Sequence, residues 1–131
     1  MFIDQLRLKE IAWEAAIIIE GYDSSVIRMD ACGAWIRYED YCNEDSDYGW
    51  VIDHVYPIRK LRALNVAEEL WNNPVNIRAL HWKNNWSKAN SYPMYTSAVS
   101  AKDAVNVEEQ RVFWVSDVLQ HSLRKVFMIE E

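Results

Sequence analysis

Seven Trp, seven Tyr and three Phe lie among only 131 residues. Each aromatic side chain removes a large apolar area from water when buried. Such a density drives collapse around a core and excludes intrinsic disorder. At this length one core is expected, and a single domain spanning 1–131. The clean apolar runs are short, such as 15–19, and none reaches 18 residues, so no membrane-spanning helix is expected. The opening Met-Phe-Ile-Asp-Gln lacks the basic start and apolar stretch of a secretory signal. Two cysteines, Cys32 and Cys42, stand ten positions apart without a Cys-x-x-Cys, which excludes a four-cysteine zinc knuckle. A cytoplasmic protein is the expectation.

Charge is distributed unevenly. The formal net charge is −6, which argues against a general nucleic-acid binder. Residues 1–49 carry 4 basic and 11 acidic groups, residues 50–93 carry 6 and 3, and residues 94–131 carry 4 and 6. Five acids fall between Glu39 and Asp47, whereas 76–88 holds Arg78, Lys83 and Lys88 with no acid. Solvated faces account for such patterning too. The basic stretch nevertheless leaves room for phosphate contact.

Local patterns predict an α+β chain. Residues 6–20 suit a helix anchored by Leu6, Ile11, Trp13 and Ile17, although 17–19 also reads as a strand. A turn follows at 21–25. Residues 34–38 alternate like a strand, and 48–52 are rich in β formers. A short helix is expected over 65–71 with Asn65 as its cap, stopped by Pro74. Residues 75–80 alternate, and 81–89 can form one helix. Strand, turn and strand are expected from 95 to 115. A C-terminal helix then follows, capped by Ser116, with Asp117 in its first turn and Val118, Leu119, Leu123, Val126 and Phe127 as its apolar stripe.

The residues able to carry chemistry lie between Asp53 and Lys88. Asp53 and His54 are adjacent at a strand end, and neighbouring strand residues point to opposite faces. They converge only if the strand ends or bends, as Pro57 three residues on makes plausible. Around a cation, such a pair supplies a ligand and a base for water. Alone it is more simply an ordinary polar strand end. On a helix from residue 81, His81, Asn85 and Lys88 would share one face at i, i+4 and i+7. An Asn oxygen suits a hard cation and a Lys suits a phosphate. Trp35, Trp50, Trp82 and Trp114 are expected in the core, while Trp71 and Trp86 could be exposed. His121 is expected at the surface.

Taken together, the run Asp53-His54-Val55-Tyr56-Pro57, then Asn76, then Asn85 and Lys88, resembles the HNH endonuclease motif, the ββα-metal finger. In that family an Asn opens the second strand and a His or Asn ligand follows nine residues on, the spacing from Asn76 to Asn85. The flanks 30–36, 48–50 and 80–85 are similar to a small bacterial and phage-type subgroup, and the resemblance covers roughly 22–92. It implies a ββα finger core over about 48–92 with a small antiparallel sheet and a C-terminal helix. It implies Asp53 and Asn85 as ligands of one divalent metal, Mg²⁺ first, with Mn²⁺ or Ni²⁺ also accommodated. His54 would be the general base and Asn76 would hold the loop that aims it. Lys88, Arg78 and Lys83 would touch phosphates. The implied partner is DNA, the reaction phosphodiester hydrolysis. Three features depart from the family. The segment between Pro57 and Asn76 is long, the zinc-binding Cys pairs are absent, and the protein is acidic. The long segment and the acidity motivate an alternative, a non-catalytic HNH-scaffold binding or regulatory protein in a phage or defence assembly.

Overall fold

The computed structural model describes residues 2–129. Twelve elements follow one another: α1 (Gln5–Glu14), β1 (Ile27–Met29), β2 (Trp35–Arg37), β3 (Trp50–His54), α2 (Ile58–Ala63), β4 (Ile77–His81), α3 (Trp82–Lys88), β5 (Met94–Thr96), β6 (Val99–Lys102), β7 (Val105–Glu108), β8 (Val112–Trp114) and α4 (Asp117–Phe127). The strands pair antiparallel as β1–β2, β3–β4, β5–β8 and β6–β7. The chain is thus an α+β protein of short antiparallel sheets with a C-terminal helix. Among the described residues no helix is long and apolar enough to cross a membrane.

The β3–β4 pair is the wall between two apolar clusters. Its register runs from Trp50 opposite His81 to His54 opposite Ile77, with Asp53 opposite Arg78. Strand residues alternate faces. Trp50, Ile77 and Ala79 therefore pack on one side with Leu8, Ala12 and Trp13 of α1 and with Ile36. Leu80 faces the other side, with Val55, Leu61, Tyr95, Val115, Leu123 and Phe127. Trp50 is fully buried, and its indole N–H donates to the Arg37 carbonyl at 2.9 Å. Truncating a buried Trp costs about 3–5 kcal/mol, so this residue anchors the first cluster.

Several sequence expectations shift. α1 ends at Glu14 rather than 20, and Ile17 instead forms a single β-bridge with Met29. The expected helix over 65–71 is displaced. α2 forms earlier, directly after Pro57, whose fixed φ suits the position before a helix, and 68–70 makes only a 3-10 turn. Asn65 lies past the end of α2 with φ +58°, a left-handed conformation that Asn tolerates, so it caps no helix start. The expected strand over 48–52 runs two residues later, which places Asp53 and His54 inside the ladder. Residues 95–101 split into β5 and β6, and β7 follows a turn in which Asp103 and Ala104 both have positive φ. α4 starts as expected: the Ser116 hydroxyl accepts from the Leu119 N–H at 3.2 Å. Leu123 and Phe127 are buried, but Val118 is exposed and leaves the stripe. Trp114 is likewise exposed, outside the core expected for it, because β5–β8 is a two-stranded sheet with one open face. His121 is exposed, and both cysteines are free thiols.

Candidate active site

The site is built where β3 ends. Asp53 and Arg78 are direct cross-strand partners, so their side chains leave the same face of the ladder. The Arg78 Nε donates to Asp53 Oδ2 at 2.9 Å, and its guanidinium lies 5.2 Å from the centre of the Tyr95 ring. α3 runs back over this face. Asn85 and Lys88 are three positions apart, neighbours on one helix side, and both reach Asp53 Oδ1. The Asn85 Nδ2 stands 3.3 Å away and the Lys88 Nζ also 3.3 Å. Lys88 donates a further bond to the His54 carbonyl at 3.1 Å.

This corrects two expectations. Lys88 and Arg78 are not surface cations aimed at phosphates. Their side chains are 1% and 12% exposed and are held by the 3% exposed Asp53. One buried carboxylate thus carries two cations. Burial pushes the Lys88 ammonium below its usual range, with Asp53 pulling in the opposite direction. Burial is the largest single influence on Arg78 and opposes its charge, but Asp53 and Tyr95 together outweigh it and hold that guanidinium above its ordinary value. Lys83 lies apart, beside Trp82 and in a different cleft lined by Glu108 and Glu109.

His81 does not share a face with Asn85 and Lys88 either. It is the residue before α3, and its Nδ1 accepts from the Lys83 N–H at 3.1 Å, which caps the helix. Its Nε2 meets the Asp47 carbonyl at 2.8 Å. A capping ring turned back along the helix cannot also project from its side. Burial lowers the His81 pKa. The His81 backbone N–H donates to the fully buried Asp30, whose carboxylate also accepts from Asn84 and from the backbone of Cys32 and Ala34. This buried hub fixes the β4–α3 junction and hence the placing of Asn85.

His54 lies on the opposite face from Asp53, as strand alternation requires. Because the ladder ends there, both residues still border one open cleft of about 180 Å³, with Pro57, Ile58, Asn85 and Asn90. His54 also lines a second cleft of about 350 Å³ toward α1, with Gln5, Leu8, Tyr41 and Asn72. Its Nε2 is 2.6 Å from Asn72 Oδ1.

Asn76 is completely buried and ties the 55–76 segment shut. Its Oδ1 accepts from the Tyr56 N–H at 2.7 Å, and its Nδ2 donates to the Tyr56 and Trp71 carbonyls at 3.2 and 3.0 Å. Two groups were missed by sequence reasoning. Asn72 gives no sequence signal, because only loop closure brings it to His54. Arg59 and Lys60 are exposed on α2 beside the cleft-lining Ile58, and the run Ile58-Arg59-Lys60 was a readable signal of charge placed there.

Asp53 and Asn85 supply two hard oxygen donors, since the amide can present oxygen by rotation. Mg²⁺ is commonly held by so few side chains, the remainder being water and phosphate. An amide carbonyl turned toward a carboxylate is repulsive unless a cation lies between them. The donor types therefore fit a hard divalent ion, on condition that it displaces Lys88 from Oδ1. Among the described residues no group of three or more His, Cys, Asp or Glu converges to hold a metal. Comparison with protein-family models, with curated proteins and with solved structures gives no match.

Proposed function

We propose that this chain is an HNH-type endonuclease that hydrolyses phosphodiester bonds in DNA. One observation carries the reading: a strand–strand–helix unit, β3–β4–α3, brings Asp53 and Asn85 together across 32 positions beside His54. That order of elements and that pair of oxygen donors are what the ββα-metal finger needs.

In this reading His54 accepts the proton of a water as its oxygen attacks phosphorus. Asn76 holds the 55–76 segment so that the imidazole keeps its place. Arg59 and Lys60, rather than Lys88 and Arg78, meet phosphates from α2. Mg²⁺, Mn²⁺ or Ni²⁺, held by Asp53 and Asn85, would supply Lewis-acid stabilisation of charge on the phosphate.

The pairing of Asp53 with both Arg78 and Lys88 favours a second reading, a non-catalytic HNH scaffold that binds a protein partner. There the two cations permanently satisfy the carboxylate that a nuclease would offer to a metal.

A plasmid-nicking assay of wild type and His54→Ala, each with Mg²⁺, Mn²⁺, Ni²⁺ or EDTA, separates them. Cleavage by wild type alone, and only with a divalent ion, supports the nuclease. Equal cleavage by both proteins removes His54 as the base, and none by either under every condition refutes the nuclease and leaves the scaffold.

A further inference from the structure

We propose that Asn72 is a positioning residue for His54, fixing the imidazole in the tautomer whose Nδ1 lone pair is free to take a proton. The inference deepens the nuclease reading and rests on it for its catalytic meaning. Its structural content stands on the contacts alone.

A neutral imidazole carries one N–H and one lone pair, and which nitrogen holds the proton is set by the partner of the other. The His54 Nε2 lies 2.6 Å from Asn72 Oδ1. A carbonyl oxygen can only accept, so the proton sits on Nε2 and Nδ1 keeps its lone pair. No other side-chain hydrogen bond is made by the His54 ring among the described residues. Nδ1 is therefore the ring's one available base.

The position of Asn72 is not accidental. Asn76 grips the Trp71 carbonyl, next to Asn72, and both backbone groups of Tyr56, two residues beyond His54. One buried amide thus pins the two ends of the insertion together. The Trp71 indole N–H adds a bond to the Val66 carbonyl at 3.0 Å, and the Arg62 guanidinium lies 5.2 Å from the centre of the Trp71 ring. The long segment that departs from the family pattern is therefore braced so that its last turn faces the base.

The proton balance is simple. Water gives one proton to Nδ1 as its oxygen bonds to phosphorus; the ester P–O bond breaks, its electron pair departs on the leaving oxygen, and that oxygen takes a proton from solvent water. The imidazolium then carries both N–H groups, and the Nε2–H stays on Asn72. A neutral amide holds the ring without adding negative charge beside an incoming phosphodiester.

The test is nitrogen NMR on the full-length chain with ¹⁵N-labelled histidine, at pH 8, above the ordinary imidazole range of about 6.5. Wild type, Asn72→Ala and Asn72→Asp are compared. Wild-type His54 is expected as the Nε2–H tautomer, Asn72→Ala as a mixture, and Asn72→Asp, which retains an acceptor oxygen, again as Nε2–H. In the nicking assay Asn72→Ala should lower kcat roughly 10- to 100-fold, as removal of a group that orients a functional His does, with KM within about twofold, whereas Asn72→Asp should recover kcat but raise KM through the negative charge it adds beside the phosphodiester. An Nδ1–H tautomer in wild type, or a His54 tautomer unmoved by Asn72→Ala in a folded protein, overturns the proposal. Because the tautomer is read without cleavage, failure of the nuclease reading shows only in the nicking assay and failure of this inference in the spectrum.

Discussion

Asp53 faces two cations in a buried place, and this imbalance makes its removal and the removal of Lys88 unequal. Asp53→Ala leaves Arg78 and Lys88 with no other ion-pair partner among the described residues. Breaking a buried ion pair by deleting one partner costs about 3–5 kcal/mol, because the other charge stays buried and unpaired. Here two charges are stranded, so the upper half of that range is expected. Lys88→Met differs. It keeps an unbranched apolar stem in a fully buried slot and leaves Asp53 bonded to Arg78 at 2.9 Å. It forfeits one donor to the His54 carbonyl, worth about 1 kcal/mol, and recovers the cost of burying an ammonium. The net change should stay within about 1.5 kcal/mol of zero. Urea titration reads the contrast. With a slope of roughly 1–3 kcal/mol per molar, the Asp53→Ala midpoint should fall by at least about 1 M. That of Lys88→Met should move by a fraction of this. Lys88→Met should also tighten binding of Mn²⁺ under the nuclease reading, since it removes the ammonium from the oxygen a metal needs. Equal destabilisation by the two substitutions would refute the reasoning, for it would mean that Lys88 is a structural requirement and not a surplus cation.

Two further predictions follow from the same neighbourhood. Burial lowers the His81 pKa and the ring caps α3 through Nδ1, so the folded state binds this proton less readily than the unfolded chain. Its contribution to stability is then fully present above pH about 6.5 and is lost as pH falls below that value. Thermal denaturation from pH 8 to 5 should show a loss of stability that His81→Asn, which retains a capping oxygen, largely removes; an unchanged profile in the variant would assign the loss elsewhere. Asn76→Ala strips three hydrogen bonds from the insertion and leaves the Tyr56 N–H without its partner. An unsatisfied buried group costs about 1–3 kcal/mol, so urea unfolding should show a loss of at least ~2 kcal/mol, and a change below about 0.5 kcal/mol would remove Asn76 from its role as the clasp.

What could be read in the sequence was governed by local chemistry. Ser116 before an amphipathic run, the alternation of 34–38 and 75–80, and the indole-rich core positions at Trp13 and Trp50 follow from short-range rules, and the corresponding elements are present. The failures come from tertiary contacts. Asn65 looked like a cap because its residue type suits one, but the chain needed a left-handed residue to leave α2, and Asn tolerates that too. Helical spacing placed His81 with Asn85 and Lys88, yet the ring is drawn away by the Lys83 N–H and the Asp47 carbonyl, a partner 34 positions away. Arg78 and Lys88 looked like phosphate ligands because no acid is near them in sequence. Their acid, Asp53, is supplied across the ladder and the helix, which a linear count of charge cannot reveal.

The same inward turn decides how an acidic protein could hold a polyanion. Six basic residues lie between 50 and 93, but they are not six phosphate contacts. Arg78 and Lys88 are spent on Asp53, Arg62 lies against Trp71, and Lys83 shares a cleft with two glutamates. Arg59 and Lys60 remain exposed next to the cleft that His54 and Asp53 border. Both stand on the insertion, as does Asn72. The segment that departs most from the family pattern therefore supplies both the ring's hydrogen-bond partner and the nearest free positive charge. With so few such charges beside the cleft among the described residues, and a net −6 on the chain, non-specific attraction to DNA would be small. Under the nuclease reading, residence of a strand at His54 would come from contacts in the clefts themselves, which the imidazole, the Asp53–Asn85 pair and the open face toward α1 border.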